Sequence, residues 1–474
     1  MKTLSVRSLL LVAGLTGCSV GPRYAAPDIE VPCTWHSEVP EGMREEPSDN
    51  IIWWGKLQDP LLNELIDLAG NQNLDLLIAA TRVLQARAEA NGKKGDLFPH
   101  IDGSVTGGHV YYSKDALVNG LLGTACPIRR KHVKRNVNFF ELGFDVEWEI
   151  DFFGKTAHDI SALKAQEEAI QEELCGIWVT LSAEIAKTYI ELRGFQQRLH
   201  SNQRSIQTQE YAVLLTKKLI ERGILKDVDL IKTETEWINL KAQNPLIELN
   251  IHRAIHRLSI LLGCAPGDLF ECLQVASGLP QLPLEKPIGL PSDLLRRRPD
   301  IRKAERELAA ATERIGSAIA GLFPRFSLNG FIGDISTNAG SLFKPASATW
   351  FAAPQLLIPI FNSRLLMQDV EYNKITTQQA IYNYQKKVLE ALEESENAIA
   401  SYRYQDERSK HLADANQRYN KAFEFSQELY RQGVTDYLAV LASAKTLYIS
   451  EEALLQSKVD QLLNYVSLYK ALGG

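Results

Sequence analysis

The sequence predicts a mixed α and β membrane protein with four barrel-type strands in each chain, very long helices and an internal two-fold repeat. Three observations predict it. Segments of apolar and acidic alternation are long enough to cross a bilayer as strands. Two helical stretches each run for about 65 residues, or roughly 100 Å at 1.5 Å per residue, which no compact domain holds. The same order of elements occurs twice, "GDLFPHIDGSVTGG" (95–108) matching "AGLFPRFSLNGFIG" (320–333) at an offset of 225.

The 474 residues carry a net charge of −6, which argues against a nucleic-acid partner because that needs a basic face. No run approaches the roughly 20 apolar residues of a membrane-crossing helix. The N-terminus, "MKTLSVRSLLLVAGLTGCSVGPRY", places Lys2 and Arg7 before a short apolar run, the pattern of a secretory signal. It ends in Leu15-Thr16-Gly17-Cys18, which resembles the lipobox of bacterial lipoproteins. Small residues at 16 and 17 admit the peptidase, and the Cys18 thiol takes the diacylglycerol. The bland alternative is an ordinary cleaved signal with an incidental cysteine. Residues 1–17 are thus the expected signal peptide and 18–60 a lipidated, extended segment. Ser19 follows Cys18 in place of the inner-membrane retention residue Asp, which directs the chain to the outer membrane. The other cysteines, Cys33, Cys126, Cys175, Cys264 and Cys272, have no metal spacing and form no disulfide framework. Cys264 and Cys272 are either a pair across a loop or isolated thiols.

The first repeat is expected over 61–262 and the second over 292–474, joined by a Pro- and Gly-rich linker at 263–291. Each opens with an Ala- and Leu-rich helix (61–94, 300–321) that stops at Phe-Pro, where proline cannot continue it. Two strands follow in each: 100–112 with 138–153, then 325–334 with 348–361. The long helices come next, 156–221 and 364–431, and Gly223 and Gly433 close them as C′ glycines do. Returning helices at 227–262 and 436–471 must run antiparallel to them, because the turns between are short.

The stretch "FFELGFDVEWEIDFFG" (139–154) shows the strand signal most fully. Phe140, Phe144 and Trp148 fall on one face of the pleat, and Glu141, Asp145 and Glu147 on the other, with Gly143 alone breaking the acidic row. Lipid against the aromatic face and pore water against the acidic face explain the division. A soluble sheet packed on helices is the competing reading, but it leaves the export signal and the helix lengths unexplained. Four strands cannot close a barrel, which needs about eight even around a packed lumen. An open edge is not tolerated in lipid. The chains must therefore pool their strands, and three would supply twelve.

The chain resembles the bacterial outer-membrane efflux proteins, the TolC-like exit ducts, in their lipidated OprM/NodT-type branch. The resemblance rests on "LTGCSVGPRY", "WWGKLQDPLLNELI" (53–66), "WEIDFFGK" (148–155), "LPSDLLRRRPDIRKAERELAAAT" (290–312), "IGSAIAGLFP" (315–324) and "YRQGVTDYLAVLASAKTLY" (430–448). It implies a homotrimer with a twelve-stranded barrel in the outer membrane and a helical barrel across the periplasm. It also implies docking on a periplasmic adaptor (membrane fusion) protein and an inner-membrane pump of RND type. The duct would conduct drugs or other small molecules passively, with no cofactor. A type I protein secretion duct and a structural coiled-coil envelope lipoprotein are the alternatives. The substrate is not named by the sequence.

In the family, acidic residues of the second returning helix ring the closed periplasmic mouth; those positions align here with Ala439 and Ala442. The departure moves the gate candidates to Asp229 and Lys232, with Asp227 and Asp436 near the turns. Asp227 and Asp436 are equally explained as helix-start anions, the preferred reading for Asp436. Two basic runs have bland explanations. "RRKHVKR" (129–135) is either a lipopolysaccharide contact or a solvated loop, and "RRRPDIRKAE" starts a helix with Pro299 and Asp300. His252 and His256 have the spacing of a two-histidine metal face, without a glutamate base or third ligand. No phosphate loop or nucleophile elbow occurs, so an enzyme is not expected.

Overall fold

The computed structural model describes residues 19–40, 43–44, 52–111, 113, 136–284 and 286–474. Cys18, Cys126 and the basic run 129–135 lie outside the described residues.

The elements follow the expected order twice. In the first pass, α1 (Pro60–Gln72) and α2 (Leu74–Lys94) precede β1 (His100–Tyr111) and β2 (Asn136–Ile150), followed by α3 (Lys155–Glu221) and the returning α4 (Asp227–Leu261). In the second, α5 (Pro299–Ala320) precedes β3 (Arg325–Ser336) and β4 (Ala348–Leu357), followed by α6 (Ser363–Arg431) and α7 (Tyr437–Ala471). Among the described residues no helix is long and apolar enough to cross a membrane.

Two expectations need correction. The single helix expected over 61–94 is two, because Asn73 is extended (φ −62°, ψ 125°) and buried. Its Oδ1 accepts from the Leu76 amide at 2.8 Å, capping α2, and its Nδ2 donates to the Leu261 carbonyl at 2.8 Å. The strands expected to reach 153 and 361 end at Ile150 and Leu357. After Ile150 the chain turns: Asp151 Oδ2 accepts from the Ala157 amide at 2.7 Å, and Gly154 takes φ 82°. Phe153 then stacks on Phe323 at 4.6 Å instead of extending the sheet.

The chain divides into two compact units. The first draws on Met1–Ala26, Leu84–Glu167 and Arg306–Ile381, and holds the sheet. Its helices meet through alanines, Ala165 against Ala309 and Ala310, with Tyr24 laid over them. The second draws on Pro27–Val83, Glu168–Glu305 and Tyr382–Gly474. Its core explains the "WWGKLQDPLLNELI" motif: Trp53, Trp54, Leu57, Leu62 and Ile66 are all buried. Trp53 stacks on Tyr469 at 6.1 Å, and Asp59 caps α1 by accepting from the Leu61 and Leu62 amides, both at 3.1 Å. The Tyr189 hydroxyl donates to the other Asp59 oxygen at 2.9 Å. An N-terminal strap follows in this unit: the Glu396 carboxylate accepts from the amides of His36 (2.7 Å) and Ser37 (2.9 Å), and Trp35 Nε1 donates to the Gly289 carbonyl at 2.9 Å.

The long helices and their returning partners form antiparallel hairpins, as their cross-links require. Asn202 donates to the Leu240 carbonyl and Gln209 to the Thr233 carbonyl in the first. Gln405 donates to the Ser457 carbonyl, and Ser426 meets Ser443, in the second. Both turns are built alike, with Gly223 at φ 74° and Gly433 at φ 73°. The following amides, of Ile224 and Val434, donate back to Leu219 and Leu429, each at 2.9 Å. This is the left-handed helix end that favours glycine.

Candidate functional site

The sheet runs in the order β1-β2-β3-β4, antiparallel throughout. Directly paired residues share a face, so the register sorts the side chains. Phe144 pairs with Gly103 and Ile332, and Ile332 with Trp350. Val105 lies on the same face opposite Leu142, and Leu328 opposite Trp148. Nothing in the described chain covers this face: Phe144 is 57% exposed, Val105 79% and Trp350 77%. Phe140 belongs to it by parity. Trp148 does too, and its Nε1 donates to the Leu97 carbonyl at 3.0 Å near the end of β2, satisfying the polar tip of an amphipathic ring. The opposite face gathers Glu141, Asp145, Glu147 and Glu149 with Asp102, Ser104 and Thr106 of β1 and Ser327 and Asn329 of β3. β1 continues the division expected of β2, whereas Phe331 and Ile335 of β3 and Phe351 of β4 fall on the acidic face and Asp334 on the apolar one.

The break at Gly143 has a cause that the sequence reading missed. Phe331 and Phe351 point to the polar face and stack at 6.2 Å. The Phe331 ring lies over Gly143, where a Cβ would fall 2.5 Å from its Cζ. Phe331 is only 4% exposed, so the glycine makes the seat for a ring that shields its backbone. The signal was present: a glycine in the acidic row of β2 and an aromatic out of phase in β3.

Among the described residues no strand pairs with the outer edges of β1 or β4. Their edge amides and carbonyls need partners if the sheet lies in a membrane.

At the hairpin turns, Asp229 and Lys232 come together, Lys232 Nζ lying 4.0 Å from Asp229 Oδ1. Asp229 is also a capping residue, a role the sequence reading did not give it: its Oδ2 accepts from the Lys226 amide at 3.3 Å. Asp227 is exposed at the first residue of α4. Asp436 caps α7, its Oδ1 accepting from the Ala439 amide at 3.0 Å. Lys232 and Ala442 line a groove of about 600 Å³ between the hairpins, where Lys445 pairs with Glu236 at 2.6 Å.

Of the remaining candidates, His252 and His256 are both exposed on α4. His252 stacks on Phe270 at 4.9 Å. In the "RRRPDI" motif, Arg298 is buried and donates to Asp300 Oδ2 and Glu394 Oε2, each at 2.7 Å, and to the Ala471 carbonyl at 2.9 Å. Burial alone would raise the Asp300 carboxyl, but the hydrogen bonds and charge of Arg298 hold it below its usual value. Cys33, Cys175, Cys264 and Cys272 are free thiols.

The family described as outer membrane efflux protein matches residues 65–264 and 290–474. The solvent efflux pump outer membrane protein SrpC of Pseudomonas putida is 29% identical, over 100% of this chain and 98% of its own. Nodulation protein T of Rhizobium leguminosarum bv. trifolii is 27% identical over 97% and 95%. Among solved structures, the outer-membrane channel OprN is similar with a TM-score of 0.86 and 30% identity, over 96% of this chain and 99% of that one. The open state of the Neisseria gonorrhoeae MtrE outer membrane channel gives 0.79 and 25%, over 96% and 98%. A family match over most of the chain, on a fold with an open two-faced sheet and paired helical hairpins, is decisive: the chain belongs to the outer membrane efflux protein family.

Proposed function

We propose that three copies of this chain pool their sheets into a twelve-stranded barrel and form the passive exit duct of a tripartite efflux system. The observation that carries the reading is the four-stranded sheet, whose outer edges pair with no strand among the described residues and whose β2 divides its faces between apolar and acidic. Lipid covers Phe140, Phe144 and Trp148, and the pore holds Glu141, Asp145 and Glu147. Cys18 carries the diacylglycerol anchor. The hairpin turns, each presenting an exposed branched side chain (Ile224, Val434) beyond an αL glycine, face the adaptor. An inner-membrane pump of RND type supplies the energy, and the duct performs no catalytic step. Relatives named for solvent, toluene and antibiotic efflux favour small molecules over proteins as cargo. Asp229 and Lys232 are the gate candidates at the mouth.

The test is complementation. In cells lacking their own exit ducts but expressing the cognate pump and adaptor, this chain should lower accumulation of a fluorescent small-molecule substrate. Accumulation unchanged, with the chain correctly inserted, contradicts the proposal. For the anchor, Cys18→Ser should abolish labelling by a fatty-acid probe, and label that persists would place the anchor elsewhere.

A further inference from the structure

Within the first unit, the residues that follow Cys18 do not trail away from the fold. The Val20 amide donates to the Phe153 carbonyl at 3.3 Å, and the Val20 carbonyl accepts from His158 Nε2 at 3.0 Å. Ser19 Oγ lies 3.1 Å from the same nitrogen. The other ring nitrogen, Nδ1, meets Glu313 Oε2 of α5 at 2.6 Å, and His158 is only 8% exposed.

Three glycines from three different segments make room for this arrangement. At Gly154 (φ 82°) a Cβ would lie 2.9 Å from Ser19 Oγ. At Gly21 (φ 131°) it would lie 2.6 Å from the Gly316 Cα. At Gly316 it would strike the His158 ring at 2.5 Å. Just beyond, Tyr24 packs on the alanines of α3 and α5, with the Arg306 guanidinium 5.6 Å from its ring.

The order Ser19–His158–Glu313 imitates a nucleophile, base and acid, but the hydrogen-bond roles forbid that use. A carbonyl oxygen only accepts, so the nitrogen facing Val20 carries its hydrogen and is not free to take one from Ser19. Nε2 donates to the Val20 carbonyl while Nδ1 meets Glu313, so the ring joins the N-terminal segment to α5.

The geometry points to a socket, formed by Gly154, His158, Gly316 and Glu313, that seats residues 19–21 and so fixes where an acyl group on Cys18 enters the membrane. The inference rests on the reading that Cys18 is lipidated. Successive Cα atoms are about 3.8 Å apart, so no flexible spacer separates the anchor from the socket. Ser19 and Val20 are held at the turn between β2 and α3, so a lipid on the preceding residue would be set in register with the end of the barrel strand. A freely tethered anchor would only retain the protein at the membrane; a seated one also fixes its depth there.

Trypsin, cutting after the exposed Arg23, tests this on full-length trimers in phosphatidylethanolamine–phosphatidylglycerol nanodiscs. The mass of the released N-terminal peptide reports both the cleavage rate and whether Cys18 is acylated. Cleavage of the wild type should be slow. It should be about tenfold faster in His158→Ala, which frees the segment, and close to wild type in His158→Gln, whose Nε2 keeps the bond to the Val20 carbonyl. Gly316→Ala should be fast because its methyl displaces the ring, and it carries the comparison if His158→Ala does not assemble. Equal rates in the wild type and the socket variants would overturn the inference. A released peptide without acyl chains would overturn the lipid reading and leave the socket intact.

Discussion

Asn73 and Arg298 stand 225 residues apart and make the same closure, each donating from its side chain to the final carbonyl of a returning helix, Leu261 or Ala471. Both residues stand between two helices, Asn73 between α1 and α2 and Arg298 between the helical turn Leu294–Arg297 and α5, and the packing beside them is also repeated. Gly263 (φ 74°) lies against the Gln72 carbonyl, and Gly473 (φ 98°) against Arg297. The internal repeat is thus visible in hydrogen bonds as well as in sequence. The second copy adds charge, because Arg298 also holds Asp300 and Glu394.

Arg298→Ala should therefore destabilise the chain by about 1–3 kcal/mol, since it leaves two carboxylates without their cation, though both acids keep some access to water and Ser395 still donates to the Ala471 carbonyl at 3.2 Å. Arg298→Lys should recover only part of this, lacking the planar fork. Asn73→Ala should cost about 1–3 kcal/mol. Denaturant unfolding in detergent measures all three, and an Arg298→Ala variant as stable as the wild type would refute the closure.

The N-terminal strap should release in acid. Burial alone would push the Glu396 carboxyl up, but hydrogen bonds from Ser37 and His36 outweigh it and hold the group below its ordinary value of 4.5. A depressed carboxyl stabilises the fold above its unfolded value, and that contribution is lost as pH falls through the folded one. Protection of the His36 and Ser37 amides, with exchange corrected for its intrinsic pH dependence, should be high at neutral pH and fall only below about 4.5. In Glu396→Gln the exchange should be faster at neutral pH and lose its acid step.

The two faces of β2 should differ chemically. Single cysteines at 145 and 147 should react with a charged, membrane-impermeant reagent, and those at 144 and 148 should not. Equal reactivity would indicate a soluble sheet. Arginine at Phe144 should cost about 2–4 kcal/mol, whereas at Trp148, beside the strand end that holds the Leu97 contact, it should cost about 0–1 kcal/mol. Trimer dissociation temperature ranks the two.

Asp229→Ala should change conductance or cation block in planar bilayers, and should also loosen the start of α4 by about 1 kcal/mol through loss of its bond to the Lys226 amide. Lys232→Ala should widen the closed mouth if the Asp229–Lys232 contact holds it. If conductance, selectivity and cation block all stay unchanged in Asp229→Ala, the residue is only a cap.

Much of this fold was legible because its signals are long and periodic. Helices of 67 and 69 residues and strands of 10–15 residues leave little room for misreading. What escaped was nonlocal. Asn73 breaks its helix because Leu261, far along the chain, needs a donor. Gly143 is explained only when Phe331 is laid over it from the next strand. The capping role of Asp229 is the exception, a local bond to Lys226 three residues away, at a position whose charge also suits a gate. His158 carried no motif at all, because its partners come from α5 and the N-terminal segment.

Edge-to-edge cross-linking tests the central claim most directly. Cysteine pairs scanned along the free edges of β1 and β4, in a background without competing thiols, should link one chain to the next in the membrane. The account predicts a ladder that stops at three chains, with monomer disappearing at the matching register. Cross-linking that ends at a dimer, continues past three, or never joins β1 to β4 would contradict a barrel pooled from three chains.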